Sequence, residues 1–215
     1  MSTGVAKVDG LLEGGLAPGE VLLIFGERGG GKTSFVFQAM LKAVSLGFST
    51  MLVYTEGRVP MERLTEMAGP EWQDVSESIW IQEVKNFEEQ DSFVDALEGR
   101  MPPSTGLLVI DSVTACYRGA LGSRRENIPL NKALNRQLAM VKDMCRRTGL
   151  PAILTSEVTA GMLGEGVKPV AAAILTYWAD MVLCFEKVQG NIRRITTTKP
   201  HGKSTLVQLT DRGLE

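Results

Sequence analysis

Gly26-Glu27-Arg28-Gly29-Gly30-Gly31-Lys32-Thr33 has the spacing of a loop that cradles phosphates in nucleotide-binding folds. A chance match is expected in about one chain in a hundred of this length, even with a Gly-rich composition. The flanks narrow it further. Val21-Leu22-Leu23-Ile24-Phe25 in front is an unbroken apolar run of strand length, and Ser34 to Val44 behind carries a helical period. Strand, loop, helix is the order such a loop requires. Its glycines let consecutive N–H groups turn toward one anion, and the helix adds the positive end of its dipole. Lys32 is then placed to reach outer phosphates, and Thr33 offers a hydroxyl to a magnesium ion, a hard cation that prefers oxygen. The candidate cofactor site is therefore Gly26, Glu27, Arg28, Gly29, Gly30, Gly31, Lys32, Thr33 and Ser34, for ATP with Mg2+. A Gly-rich turn that binds nothing would have no use for the Lys-Thr pair.

The chain has 215 residues, 44% hydrophobic and 22% charged, which suits one α/β domain with a substantial core. A formal net charge of -2 does not announce a nucleic-acid binder, so any such claim must rest on a local patch. Cys116, Cys145 and Cys184 are far apart and odd in number, which argues against a disulfide framework or a zinc site and fits a reducing cytoplasm. No basic-then-apolar leader opens the chain, and the longest apolar run, Pro169 to Ala179, stops at Asp180 well short of the ~18 residues of a membrane span. Val8 to Leu16 is expected to form a brief helix and a Gly-rich turn ahead of the first strand.

Ser49 to Tyr54 reads as a second strand, with a helix from Met61 to Met67 after Pro60, and Trp80 and Ile81 lie in a third. Asp91 to Leu97 is helical in pattern, and Leu107 to Asp111 is an apolar run suited to a central parallel strand. Leu130 to Arg147 has helical spacing, Pro151 to Thr155 is the next strand, and a Gly-rich segment runs from Ala160 to Gly166. Met181 to Phe185, Ile192 to Thr198 and Leu206 to Leu209 are three closing strands, expected antiparallel from their short connections. The order predicts a doubly wound, mostly parallel sheet with a short C-terminal antiparallel extension.

In such sheets ligands sit beyond the carboxyl ends of the strands, so acids just past strand ends are site candidates. Asp111 is placed to hold magnesium opposite Thr33; a turn or helix-capping acid is the plainer alternative. Glu56, after the second strand, is placed to orient and deprotonate an attacking water; the alternative is a solvated loop acid. Arg63, one turn into the next helix, has the reach to lie against a purine face.

Ser2-Thr3-Gly4 with Leu12 to Gly15, the phosphate loop, Thr55-Glu56-Gly57 with Met61-Glu62-Arg63-Leu64, and Val109-Ile110-Asp111-Ser112 together resemble the RecA/RadA recombinases over nearly the whole chain. Arg136-Gln137-Leu138, Asp111 to Arg118 and Gly213-Leu214-Glu215 resemble, more narrowly, the RadB group of short archaeal RadA paralogues. The resemblance implies a RecA-like P-loop NTPase core spanning 1–215 as one domain, without an N-terminal helical DNA-binding domain. It implies that Lys32 and Glu56 are the catalytic residues, Thr33 and Asp111 the magnesium residues, and Arg63 the adenine-stacking residue. It also implies DNA as a partner, and RadA and a Holliday-junction nuclease as protein partners. One departure matters: where relatives carry Asn-Gln after the strand Pro151 to Thr155, this chain has Ser156-Glu157. A carboxylate there is repelled by phosphate, so turnover is expected to be weak.

From Lys187 to Lys203 there are five basic side chains and no acid. Such a cluster suits sequence-independent phosphate binding, and equally a solvated edge that prevents sheets from pairing; the resemblance favours DNA. By that analogy Arg193, Arg194, Lys199 and Lys203 contact DNA, with Arg118, Arg124 and Arg125 in a loop from Tyr117 to Asn127, and Lys168 in a second loop from Val158 to Pro169. Phe93 and Ala96 have the F-x-x-A spacing by which recombinases polymerise, but their position on a helix within the domain reads as core. The expected function is an accessory protein of homologous recombination with weak or no DNA-stimulated ATPase activity and no extended filament. The rivals are a filament-forming strand-exchange ATPase and a KaiC-like regulatory ATPase without a nucleic-acid role.

Overall fold

A computed structural model describes residues 1–159 and 167–215. Helix α1 (Ala6–Leu11) precedes β1 (Val21–Gly26), and the glycine loop leads into α2 (Lys32–Ser45) and β2 (Ser49–Tyr54). Then come α3 (Met61–Ala68), a 3-10 turn at Gly69–Glu71, α4 (Trp72–Ser76) and β3 (Ile79–Glu83). Helices α5 (Phe87–Asp95) and α6 (Leu97–Arg100) lead to β4 (Thr105–Asp111), followed by α7 (Ala115–Ala120), α8 (Arg124–Thr148) and β5 (Ala152–Ser156). The chain closes with β6 (Val158–Thr159), β7 (Lys168–Pro169), α9 (Ala172–Trp178), β8 (Met181–Gln189), β9 (Ile192–Lys199), β10 (His201–Thr210) and β11 (Gly213–Leu214).

Among the described residues the main sheet runs β11-β10-β9-β8-β1-β5-β4-β2-β3. From β8 to β3 every neighbour is parallel, and from β8 to β11 every neighbour is antiparallel. The sheet is thus doubly wound and mostly parallel, as the alternation of elements predicts. Strand β8 is the hinge between the two halves: it pairs with β1 in parallel and with β9 antiparallel, where antiparallel pairing alone was expected. The cause is α9, a helix on the apolar run near residue 170 that returns the chain for a parallel pairing.

The central strands are apolar on both faces because helices cover both. Along β1, Val21, Leu23 and Phe25 enter one core while Leu22 and Ile24 enter the other. The first core meets α5, α7, α8 and α9 through Phe87, Tyr117, Leu138 and Leu175; the second meets α1, α2 and α3 through Val8, Phe35 and Leu64. Phe93 is buried in the first core, as its reading required.

Helix α8 begins six residues before the expected Leu130 and holds Pro129 within it. Ser123 and Glu126 form a reciprocal capping box, with the Ser123 N–H donating to Glu126 Oε2 at 2.6 Å, and this start overrides the proline. The expected loop from Tyr117 to Asn127 is therefore largely two helix ends, and Arg124 and Arg125 occupy the first turn of α8. The Gly-rich stretch Ala160 to Gly166 lies outside the described residues. Among the described residues no helix is long and apolar enough to cross a membrane.

Strand β1 must end in glycine for a packing reason. A Cβ on Gly26 would lie 2.2 Å from the Phe185 carbonyl oxygen of β8, a backbone atom that cannot swing away. Gly26→Ala is expected to cost about 1–3 kcal/mol, read as a lower urea midpoint with an unchanged slope; an unaltered midpoint would show that β1 and β8 yield freely.

Candidate functional site

Strands β1, β2, β4 and β5 present Gly26, Tyr54, Asp111 and Ser156 at their carboxyl ends. The glycine loop spans the first of these. Gly29 and Gly31 take φ of 74° and 96°, left-handed values that strain any residue with a side chain. Lys32 is buried, and its Nζ donates to the carbonyls of Gly26 at 2.8 Å and Glu27 at 3.1 Å. Burial pulls the ammonium pKa down, against the opposing fields of Asp111 and Glu56.

Asp111 is 1% exposed. Thr33 Oγ1 donates to its Oδ2 at 2.9 Å, and Thr155 Oγ1 donates to its Oδ1. Burial pushes this carboxyl above its usual range, while the two hydroxyls and Lys32 pull it back. Beside it a ladder of hydroxyls joins three strand ends: Thr55 Oγ1 donates to the Ser112 carbonyl at 2.5 Å, and Thr114 Oγ1 lies 3.1 Å from Ser156 Oγ.

A cavity of about 250 Å³ lies over the loop, lined by Arg28, Lys32, Thr33, Tyr54, Glu56 and Glu157 among others. The Glu56 carboxyl is raised, first by burial among these neighbours and then by Asp111, while Lys32, Arg28 and Arg118 lower it. Tyr54 is pushed up to about 12 by burial and the nearby acids, so its phenol stays protonated. A second hollow of about 460 Å³ shares Ser34 and Leu209 with the first and is lined by Arg63. The Arg63 guanidinium is fixed there by the carbonyls of Asp211 at 2.8 Å and Thr210 at 2.6 Å. Arg28, Lys32, Thr33, Ser34 and Glu56 thus line the first hollow, Asp111 meets Thr33 beside it, and Arg63 lines the second. A wider hollow of about 560 Å³, with Thr55 in its lining, lies between the segment Lys85 to Glu88, where α5 begins, and helix α7.

The basic residues do not converge. Arg193 is buried, its guanidinium donating to the carbonyls of Gly190 at 2.8 Å, Ile192 at 3.1 Å and Gly29 at 3.2 Å. It is a strut beneath the phosphate loop and is removed from the DNA-contacting set. Arg194 is exposed and, as the next residue on a strand, points to the opposite face. Lys199 spends its amine on the carbonyls of Thr176 and Ala179, Lys203 pairs with Glu13, and Arg118 pairs with Glu157. Lys168 is exposed on β7. Thr155 and Tyr54, which the sequence did not flag, join the site together with Glu157 and with Arg193, which the resemblance had assigned to DNA instead. Glu157 carried a signal only as a departure from the resemblance.

The oxygen set suits magnesium. Thr33 and Asp111 converge at hydrogen-bond distance beside the cavity. One carboxylate and one hydroxyl, completed by water and phosphate oxygens, is how magnesium is commonly held.

A family model described as Rad51 matches residues 1–213. The chain belongs to the Rad51 family. Within the family its similarity is to RadB proteins, the group that the sequence resembles. It is 30% identical to the DNA repair and recombination protein RadB of Thermococcus onnurineus (strain NA1) over 223 residues, covering 100% of this chain and 96% of that protein. It is 28% identical to the protein of the same name from Methanosphaera stadtmanae, covering 97% of this chain and 93% of the other. The crystal structure of the RadB recombinase superposes with a TM-score of 0.83 at 29% identity, covering 100% of this chain and 98% of that one. The Rad51 family membership and the RecA-like sheet agree.

A raised acid stabilises the fold fully only below the ordinary carboxylate range, and that contribution is lost as pH rises through the raised value. Asp111→Asn removes this loss while leaving the shape intact. Without ligand, the variant is therefore expected to melt at or above the parent temperature at pH 8, with the difference shrinking toward pH 4. A variant that melts lower at pH 8 would show that the buried charge is well compensated by its partners.

Proposed function

We propose that this chain binds ATP with Mg2+ and binds DNA, and that it serves homologous recombination and repair in the cytoplasm as an accessory protein with weak or no DNA-stimulated hydrolysis. The observation that carries this reading is the Thr33–Asp111 pair at the floor of the glycine loop, an acid whose burial the two hydroxyls and Lys32 offset in part and a cation there would offset further. RadB relatives are named as DNA repair and recombination proteins.

Lys32 exchanges the Gly26 and Glu27 carbonyls for phosphate oxygens, and the loop N–H groups hold the inner phosphates. Magnesium, when bound, neutralises charge on the outer phosphates. Glu56 faces the same cavity and takes the proton of an attacking water; its raised pKa makes it a stronger base. Weak turnover follows from Glu157, a carboxylate where an amide would bond a terminal phosphate. Arg63 lies where a purine would rest, one step along the shared hollow from Ser34.

For DNA, Arg124 and Arg125 are the residues best placed. Both are exposed in the first turn of a 25-residue helix, where the dipole disfavours cations and a nearby phosphate would compensate. Arg194, Lys168 and Lys203 are exposed as well. RadA and a junction-resolving nuclease are the protein partners that this reading carries.

ATP with Mg2+ at 100 times its Kd is expected to stabilise the protein by ~2.7 kcal/mol, seen as a higher melting temperature. Lys32→Ala should lose most of that gain, while Glu56→Gln should keep it and lose turnover, because an amide orients water without accepting its proton. No thermal shift with saturating ATP would refute the assignment.

Replacing Arg124 and Arg125 together with Ala should flatten the log affinity versus log salt line for duplex DNA by about 1.8, from roughly 0.9 per contact. Arg193→Ala should instead lower the melting temperature. Identical salt slopes for the parent and the double variant would remove α8 from the DNA surface.

A further inference from the structure

Glu157 lines the cavity that holds Lys32, Thr33 and Glu56, so a second carboxylate besides Glu56 faces the place for phosphates. In a partly desolvated pocket a bare carboxylate beside a terminal phosphate would repel it strongly. Glu157 is not bare: the Arg118 guanidinium pairs with its Oε2.

Both halves of this pair are braced from below. The Arg118 N–H donates to the Thr114 carbonyl at 2.9 Å, and Thr114 Oγ1 lies 3.1 Å from Ser156 Oγ. The Ser156 hydroxyl in turn lies 2.9 Å from the Glu157 carbonyl, which also accepts from the Val170 N–H at 3.0 Å. Thr114 and Ser156 are fully buried, so the pair stands on a dry bridge between the exits of β4 and β5. The Arg118 charge also reaches Glu56, being one of the cations that lower its carboxyl. An arginine engaged with Glu157 in this way is withdrawn from the DNA-contacting role that the resemblance assigns it.

We infer that Arg118 is a positioning residue for the terminal phosphate of ATP: it masks Glu157 and thereby sets the preference of this site for a nucleoside triphosphate over a diphosphate. This rests on the ATP reading above. With Arg118 in place the wall facing the third phosphate is neutral, and a guanidinium has five donors, of which a carboxylate occupies two at most. Without it the wall is anionic. The two inner phosphates are held by the N–H groups of the loop, so ADP, which lacks the third phosphate, is affected little.

The test is the Kd of ATP and of ADP, each with Mg2+, measured by calorimetry for the parent, Arg118→Ala, Glu157→Gln and the double variant, with circular dichroism confirming the fold of each. Arg118→Ala is expected to weaken ATP by about tenfold or more, the scale of a close charge pair, and to leave ADP nearly unchanged. Adding Glu157→Gln to that variant should restore ATP binding, because the charge needing a mask is gone. Equal weakening of ATP and ADP, or no restoration in the double variant, would overturn the inference. A parent that binds neither nucleotide would overturn the ATP reading itself, whereas a parent that binds both while Arg118→Ala changes nothing would overturn only this inference.

Discussion

Asp111, buried between the hydroxyls of Thr33 and Thr155, ties the phosphate loop to the middle of the sheet. A carboxylate this dry is tolerated only where hydrogen bonds and a nearby cation answer it. The first hydroxyl comes from the start of α2, the second from β5, and the acid itself ends β4, so β4 and β5 must lie with their carboxyl ends level with the end of β1, from which the loop leads into α2. The order β1-β5-β4 meets that requirement. On the ATP reading, a bound cation would add to what the hydroxyls and Lys32 supply to Asp111, and so would couple the strength of the fold to the ligand.

The opposite side of the loop is braced by the antiparallel extension. Arg193 reaches from β9 to the Gly29 carbonyl, and the Lys187 amine lies 3.1 Å from where a Cβ on Gly29 would stand. Arg63 ties α3 to the turn after β10 through two carbonyls. What reads in the chain as a basic tail is thus partly a brace for the glycine loop. A cation directed inward and one directed outward look alike in composition, and Arg193 and Arg194 show the two fates side by side.

The glycine loop, its flanking elements, β2 and the acid at the end of β4 were legible because local rules dictate them: periodicity, glycine spacing and an acid closing an apolar run. The antiparallel pairing of β9 and β10 was legible from short connections. The parallel pairing of β8 was not, since α9 is a seven-residue apolar segment in which helix and strand patterns cannot be told apart. The early start of α8 was written in Ser123 and Glu126, a capping box masked by Pro129. Thr155 and Tyr54 had no signal at all, because their roles depend on which strands become neighbours. Glu157 was visible only as an exception, and its partner Arg118 came into view only when β4 and β5 were set side by side.

We propose that one phosphate site is assembled from the ends of β1, β4 and β5. The most direct measurement is amide hydrogen exchange on the full chain, with and without ATP and Mg2+. Added protection is expected in the segments 26–34 and 111–114, and none at 85–88, where α5 begins beside the wider hollow. Saturating ATP that leaves 26–34 unprotected, or protects 85–88 instead, would contradict it.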